Sequence, residues 1–234
     1  MKHIILAGDS IFDNSAYINN TEPDVAAQVK SVMGKNDRVT LLAVDGDVTS
    51  GVKTQLERLP EDATHLIISA GGNDALGVIH ELTGPANNIG EAFYKFYDMR
   101  SQFEDKYSSM LNSAISHGLP TTVCTVYDPC FNHGDLQRVE DYMWYGISAN
   151  KMQKTTVTAL PIFNDIITRQ AVTAGVPIID LRLIFDSDSD YANPIEPSAA
   201  GGVKMASVIK KIVNNHRFEE NRTSFYGIND VPGS

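Results

Sequence analysis

The sequence is poor in cysteine and in positive charge, and it contains no long apolar run. Its 234 residues include two cysteines, and 19 lysines and arginines stand against 29 aspartates and glutamates, which gives a formal net charge of −10. Because nucleic-acid binding relies on clustered basic side chains that neutralise phosphates, this charge argues against a nucleic-acid partner. It argues equally against binding to an anionic membrane surface.

The few cysteines and the start of the chain narrow the class of protein further. Cys124 and Cys130 do not form a CxxC motif, and no Cys/His cluster has the spacing of zinc ligands, so we expect no metal and no other cofactor. No apolar run approaches the roughly 18 residues of a membrane-spanning helix. After His3 the chain enters a predicted strand directly, without an apolar leader. These features predict a soluble, cytoplasmic protein without a membrane partner.

Short apolar runs alternate with segments of helical periodicity along the chain. The predicted strands cover residues 4–7, 39–44, 66–70, 121–126 and 177–181. Such alternation is typical of a doubly wound parallel sheet. We therefore predict an α/β fold, a flavodoxin-like three-layer α/β/α sandwich around a five-stranded parallel sheet. Because no repeat or linker interrupts the pattern, residues 1–216 are predicted to form one domain, followed by a polar tail over residues 217–234.

The longest predicted helix, over residues 89–116, carries an aromatic stripe. Its members, spaced as one helical face requires, are Phe93, Phe96, Phe103, Tyr107 and Leu111. A stripe of this kind more often packs into the core than lines a ligand site. The pattern therefore favours a core position for the whole stripe.

The first predicted strand runs straight into Gly8, Asp9 and Ser10. Ligands of open α/β sheets bind at the carboxyl edge of the strands, where Ser10 would lie. A serine at this place is a candidate nucleophile, but Asp and Ser are also strong helix N-caps. From this stretch alone, the N-cap interpretation is favoured.

Two further predicted strands also end in glycine turns, and in a parallel sheet all three turns lie along one edge. The three turns are Gly8-Asp9-Ser10, Asp45-Gly46-Asp47 and Gly71-Gly72-Asn73-Asp74. In this order and spacing they resemble the blocks of the SGNH hydrolases, also called GDSL esterases or lipases. The resemblance implies an ester hydrolase with the flavodoxin-like sheet.

The resemblance also implies a role for each turn. Ser10 would be the nucleophile, and the backbone N–H groups of Ser10 and Gly46 with the side-chain amide of Asn73 would form the oxyanion hole. Acyl transfer requires such donors, aimed at the oxygen that becomes negative. The alternative for Gly46 and Asn73 is plain turn chemistry, because Gly and Asn suit tight bends.

The fourth block of the family, Asp-x-x-His before the last helix, is replaced here. Asn193 stands in the place of the Asp, and Glu196 in the place of the His. A carboxylate of pKa about 4.3 is a weak base toward a serine hydroxyl, and a neutral Asn cannot stabilise an imidazolium. The base is therefore left open between Glu196, His133 from the long segment after the fourth strand, and no base at all. Asp9 and Asn193 are predicted to contribute to binding.

These residues predict a serine-dependent ester hydrolase that acts on a small ester, O-acetyl or thioester substrate, without a nucleic acid or membrane partner. Its activity is expected to be weak, near the residual rate of about 10³–10⁴ over water that remains without a catalytic triad. The alternative is a catalytically degenerate protein that binds an acylated or sugar ligand. The acyl group, the alcohol and the oligomeric state are not predicted.

Overall fold

A single sheet of six parallel strands organises the protein. The computed structural model describes residues 1–131 and 148–231. The strands are β1 (His3–Gly8), β2 (Arg38–Leu41), β3 (His65–Ser69), β4 (Thr121–Cys124), β5 (Ile178–Ile179), β6 (Tyr191–Asn193), β7 (Glu196–Pro197) and β8 (Phe225–Tyr226). The sheet has the order β2-β1-β3-β4-β5-β8, and β6 and β7 form a separate antiparallel pair. The predicted parallel α/β sandwich is thus confirmed.

Seven α-helices accompany the strands in the described part of the chain. They are α1 (Val25–Val32), α2 (Val52–Leu56), α3 (Gly72–Gly77), α4 (Ile89–Ile115), α5 (Ala149–Ala159), α6 (Pro161–Ala174) and α7 (Ala199–Asn215). The helical periodicity of residues 151–174 predicts one continuous helix where α5 and α6 stand. The structure divides it at Pro161, which occupies the first position of α6, because a proline is tolerated there but not in a helix interior.

Strand β1, which lies inside the sheet, is apolar from Ile4 to Ala7 because both of its faces are covered. Ile4 and Leu6 belong to the core on the side of α1 and α7. Ile5 and Ala7 belong to the core on the side of α2, α4 and α6. This division follows from the alternation of side chains along a strand, and it makes three layers with the sheet in the middle.

The sheet contains one strand more than predicted. Phe225 and Tyr226 form β8, which pairs with β5 in the parallel register Ile178↔Phe225 and Ile179↔Tyr226. The expectation of a tail beyond the domain is therefore wrong for this segment, which extends the sheet at its edge. A strand of two residues in a polar stretch has no alternating pattern that could predict it.

Only the second half of α4 packs against the sheet. Phe103, Tyr107 and Leu111 are buried in the core. Phe93, in the first half, leaves 67% of its surface exposed, and Phe96 lies on the wall of a pocket. The expectation that the whole aromatic stripe is core is thus wrong for these two residues.

Neither a membrane-crossing helix nor a metal cluster is found in residues 1–131 and 148–231. None of the helices there combines the length and the apolar character that a bilayer requires. In the same ranges, His, Cys, Asp and Glu side chains form no group of three or more that could hold a metal ion. Cys124 and Cys130 are buried and are not joined in a disulfide.

Candidate active site

The end of β1 forms the tight turn that carries Ser10. Gly8 has φ +132°, and a Cβ at this position would lie 1.7 Å from the carbonyl oxygen of Ser69 on β3. Only glycine therefore allows the two strands to approach so closely before the chain turns. The carboxylate of Asp9 accepts the N–H of Ile11 at 3.2 Å, which closes the turn.

The structure does not support the N-cap interpretation of Ser10. The residues after Ser10 form turns, and α1 begins at Val25 with Asp24 as its cap. The Ser10 hydroxyl instead donates a hydrogen bond of 3.0 Å to Oε1 of Glu196. Because both side chains line one pocket, this pair has the contact that a nucleophile and its base require.

Glu196 is a buried carboxyl group with an unused oxygen. Only 4% of the residue is exposed, and among the described residues Oε2 has no hydrogen-bond partner. Burial raises the pKa of Glu196 to about 8; the hydrogen bond from Ser10 opposes this rise, and the nearby charges of Asp9 and Asp45 add to it. The carboxyl group therefore titrates close to neutral pH.

The turn between β6 and β7 holds Glu196 in place. The side-chain oxygen Oδ1 of Asn193 accepts the backbone N–H of Ile195 at 2.9 Å and that of Glu196 at 3.0 Å. The hydroxyl of Tyr127 donates to the carbonyl of Ile195 on the same turn. Asn193 is not among the residues that line the pocket, so its contacts shape the turn, and the structure does not bring it to the predicted binding position.

Asn14 links the segment that follows Ser10 to the segment that carries Glu196. This residue was not identified from the sequence. Its Nδ2 donates to the carbonyl of Pro197 at 3.1 Å, and its Oδ1 accepts the N–H of Val25 at 3.0 Å. The residue is 1% exposed. Asn14 thus ties the segment after Ser10 to the strand of Glu196. The polar stretch around it offers no sequence signal, because many polar loops contain an Asn.

Asn73 lines the same pocket as Ser10, whereas Gly46 is not among its lining residues. The Nδ2 of Asn73 donates to the carbonyl of Asp47 at 2.8 Å, so the amide is fixed by the loop that contains Gly46. Since an amide has two hydrogens, one remains for a ligand. Among the described residues, the backbone N–H groups of Ser10 and Gly46 donate to no acceptor. Gly46 has φ +77°.

Asp9 places a second buried carboxyl group on the pocket wall. Burial raises the pKa of Asp9 to about 7; the hydrogen bond from Ile11 lowers it, and the charges of Asp74 and Asp47 raise it. The predicted binding residue Asp9 thus does lie at the pocket. Together with Glu196 it makes this end of the pocket unfavourable for an anionic group.

The pocket itself is deep and mainly apolar. Its volume is about 800 Å³, including the open mouth. Asp9, Ser10, Asn73 and Glu196 form its polar end, and most of the remaining wall consists of aliphatic and aromatic side chains from α3 to α6 and from the loops after α3 and β4. A pocket of this character binds an apolar group and positions it by a few polar atoms.

The described residues contribute no histidine to the pocket wall. His80, which follows the Asn73 turn, is 53% exposed and lies 3.3 Å from Glu81. His133, the alternative base predicted from the sequence, lies outside the described residues. Among the described residues, Glu196 is therefore the titratable side chain that accepts a hydrogen bond from the Ser10 hydroxyl.

Comparisons with known proteins bear on the family and the fold of this chain. The sequence model of the GDSL-like lipase/acylhydrolase family matches residues 6–202. A comparison with curated protein sequences found no match.

The fold is similar to solved structures of lipases and esterases. An extracellular lipase from Streptomyces rimosus is 16% identical, with a TM-score of 0.61 over 93% of this chain and 100% of the other. A lipase from a goat rumen metagenome is 17% identical, with a TM-score of 0.63 over 88% and 94%. An esterase from Pseudoalteromonas, solved in a form inhibited by monoethylphosphonate, is 16% identical, with a TM-score of 0.57 over 92% of this chain and 100% of the other. Because the family model spans most of the sequence, this chain belongs to the GDSL-like lipase/acylhydrolase family.

Proposed function

We propose that this protein hydrolyses an ester with Ser10 as the nucleophile and Glu196 as the general base. The observation that carries the proposal is the hydrogen bond of 3.0 Å from Ser10 Oγ to Glu196 Oε1, made at the polar end of an apolar pocket. Membership of a lipase and acylhydrolase family supports ester hydrolysis as the reaction.

The proposed reaction has two halves. Ser10 Oγ attacks the ester carbonyl carbon while its proton passes to Glu196. The carbonyl oxygen becomes negative and is stabilised by N–H groups of Ser10, Gly46 and Asn73. The intermediate then collapses, and the departing alcohol takes the proton from Glu196. Water attacks the acyl-enzyme in the same way, which releases the acid and restores the Ser10 hydroxyl.

A glutamate replaces the histidine of the family pattern in this proposal, and burial makes it a better base. An ordinary Glu with a pKa near 4.5 holds a proton too weakly to help a serine hydroxyl at neutral pH. Here burial raises the pKa of Glu196 to about 8. A general base is most effective when its pKa lies near the operating pH. Glu196 therefore accepts the Ser10 proton without an imidazole between them.

A second candidate function is binding of an ester without turnover, and the same pKa favours it. With a pKa of about 8, roughly a tenth of Glu196 is ionised at pH 7. A protonated carboxyl group cannot accept the hydroxyl proton. At neutral pH the pocket would then hold an ester beside an inactive Ser10.

Hydrolysis of an activated ester between pH 6 and pH 9.5 separates the two functions. The unaltered chain is compared with Ser10→Ala and with Glu196→Gln, which keeps the size of the side chain. The hydrolase proposal expects activity that Ser10→Ala abolishes and that Glu196→Gln lowers by about 10²–10⁴-fold. Activity that survives in Ser10→Ala would contradict it. Absence of activity at every pH, in folded protein that binds the ester, would favour the binding function.

A further inference from the structure

A second cavity adjoins the catalytic pocket. Its volume is about 500 Å³, including space that is open to solvent. Leu82, Phe96 and Met99 line both this cavity and the pocket that contains Ser10. These three side chains, here called the partition, therefore belong to the walls of both cavities. The second cavity is also lined by polar residues, namely Glu81, Lys95 and Thr155.

The wall between Ser10 and the partition is suited to hydrocarbon. Ala75 and Leu76 of α3 and Leu160 and Phe163 near the start of α6 contribute to it. Beyond Asp9 and Glu196 at the polar end, the described lining residues carry no charged side chain. The hydroxyl groups of a sugar would lose their water there and gain few partners, such as the hydroxyl of Thr156, which is costly. A methylene chain would gain about 0.8 kcal/mol for each buried group.

The partition is made of side chains that a ligand or a mutation can displace. Phe96 and Met99 lie in the first half of α4, which does not pack on the sheet, and both are half-buried. Methionine is unbranched and flexible. Truncation of either residue would join the two cavities without touching the core.

We propose that the catalytic pocket takes a linear hydrocarbon chain of the ester substrate, and that the partition of Leu82, Phe96 and Met99 sets the longest chain that fits. The proposal rests on the proposed function, because hydrolysis at Ser10 fixes which end of the chain enters. It replaces the expectation of a small or O-acetyl ester with a longer, unbranched substrate.

The first test measures kcat/KM for linear esters of increasing chain length. Each added methylene should raise kcat/KM about fourfold until the partition is reached. In Phe96→Ala this limit should move to longer chains, so that beyond the original limit the ratio of variant to parent rises about fourfold per methylene. Met99→Ala provides the same test should Phe96→Ala fail to fold.

Phe93→Ala is the matched control. Phe93 lies on the same helix three positions earlier, is 67% exposed and lines neither cavity. Its truncation removes the same ring and should leave the limit where it was. A limit that moves equally in Phe93→Ala and Phe96→Ala, or that moves in neither folded partition variant, would overturn the proposal.

Two ester series identify the side of the ester that carries the chain. One lengthens the acyl group on a fixed alcohol, and the other lengthens the alcohol on a fixed acetyl group. The series in which the Phe96→Ala substitution changes the rates identifies whether the acyl group or the alcohol group of the ester occupies the pocket. If neither series depends on chain length, the pocket does not hold a hydrocarbon chain and the proposal fails.

A binding experiment keeps this proposal separate from the proposed hydrolysis. Ser10→Ala protein is titrated calorimetrically with linear primary alcohols of increasing length, which are neutral and so avoid repulsion by Asp9 and Glu196. Affinity should increase about fourfold per methylene up to a limit that Phe96→Ala extends. This result would support the chain pocket even if the unaltered protein hydrolysed no ester. Affinity independent of length would refute the pocket even if hydrolysis were observed.

Discussion

Ser10 Oγ donates directly to Glu196 Oε1 over 3.0 Å, although 186 positions separate the two residues along the chain. The contact is possible because β1 ends at the edge of the sheet that the β6–β7 hairpin also reaches. No imidazole lies between hydroxyl and carboxyl group. Ser10 therefore depends on the ionisation of Glu196 itself, and that dependence can be measured.

The rate of Ser10-dependent hydrolysis should rise with pH. Burial raises the pKa of Glu196 to about 8, and only the ionised carboxylate can accept the serine proton. We expect a plateau above about pH 9 and a rate at pH 6 about a hundredfold lower. The measurement is kcat/KM on an activated ester, with the Ser10→Ala rate subtracted at each pH.

Asp9→Asn should move this profile to lower pH. The charge of Asp9 contributes to the raised pKa of Glu196, so its removal should lower the apparent pKa. The asparagine oxygen can still accept the N–H of Ile11, which preserves the turn. A profile that is flat, or that Asp9→Asn leaves in place, would argue against Glu196 as the titrating base.

Folding stability should fall as the pH rises from about 5 to 9. In the folded protein burial raises the pKa of Glu196 to about 8 and that of Asp9 to about 7, whereas unfolded carboxyl groups ionise near pH 4. Above about pH 4 the folded state thus holds protons that the unfolded state has lost. The free energy of unfolding therefore falls with rising pH until the pH passes the folded pKa values, where this stabilisation is lost. The loss should be on the order of a few kcal/mol.

Urea unfolding at pH 5, 7 and 9 checks this expectation. Glu196→Gln cannot ionise, so its free energy of unfolding should depend less on pH than that of the parent. Between pH 5 and pH 9 the variant should lose less of its free energy of unfolding than the parent does. An identical pH dependence in parent and variant would show that Glu196 is not the group responsible.

The proximity of Ser10 and Glu196 follows from features that a sequence can reveal. Each turn after an apolar strand must reach the same edge of a parallel sheet, and Ser198, the cap of α7, fixes where the fourth block ends. Topology therefore places Ser10 at this edge, whereas the position of Glu196 beside it was implied by the resemblance of its segment to the family's fourth block. Asn193 shows the limit of this reasoning, because its amide satisfies the hairpin backbone.

The two cavities could not be predicted, because they arise between elements that are distant in sequence. Helical spacing placed Phe93 and Phe96 on one stripe of α4. It could not show that the helix leaves the sheet before Phe103, which leaves Phe93 exposed and Phe96 at a cavity wall. The strand at Phe225 depends equally on a tertiary partner, since its pairing with Ile178 defines it.

Asn73→Ala should lower kcat by about 10²–10³-fold with little change in KM, because an oxyanion donor acts mainly in the transition state. Its amide also holds the carbonyl of Asp47, so loop disorder must be separated from the lost donor. Tyr17→Phe removes the hydroxyl that donates to Asp45 in the same loop, and it should leave kcat close to that of the parent. Equal losses in both variants would assign the effect to the loop.

The double variant Asn193→Asp with Glu196→His should raise Ser10-dependent turnover at pH 7 by up to about tenfold, because most of an imidazole but only roughly a tenth of Glu196 is in the proton-accepting form at that pH. An aspartate keeps the oxygen that accepts the N–H groups of Ile195 and residue 196, so the hairpin should persist. The imidazole would stand beside Ser10, and the midpoint of the pH profile should move from near 8 toward about 6.5. Asn193→Asp alone supplies no imidazole and should bring no gain. A folded double variant without higher turnover would mean that the pocket lacks more than a base, and ester binding would then be its better-supported function.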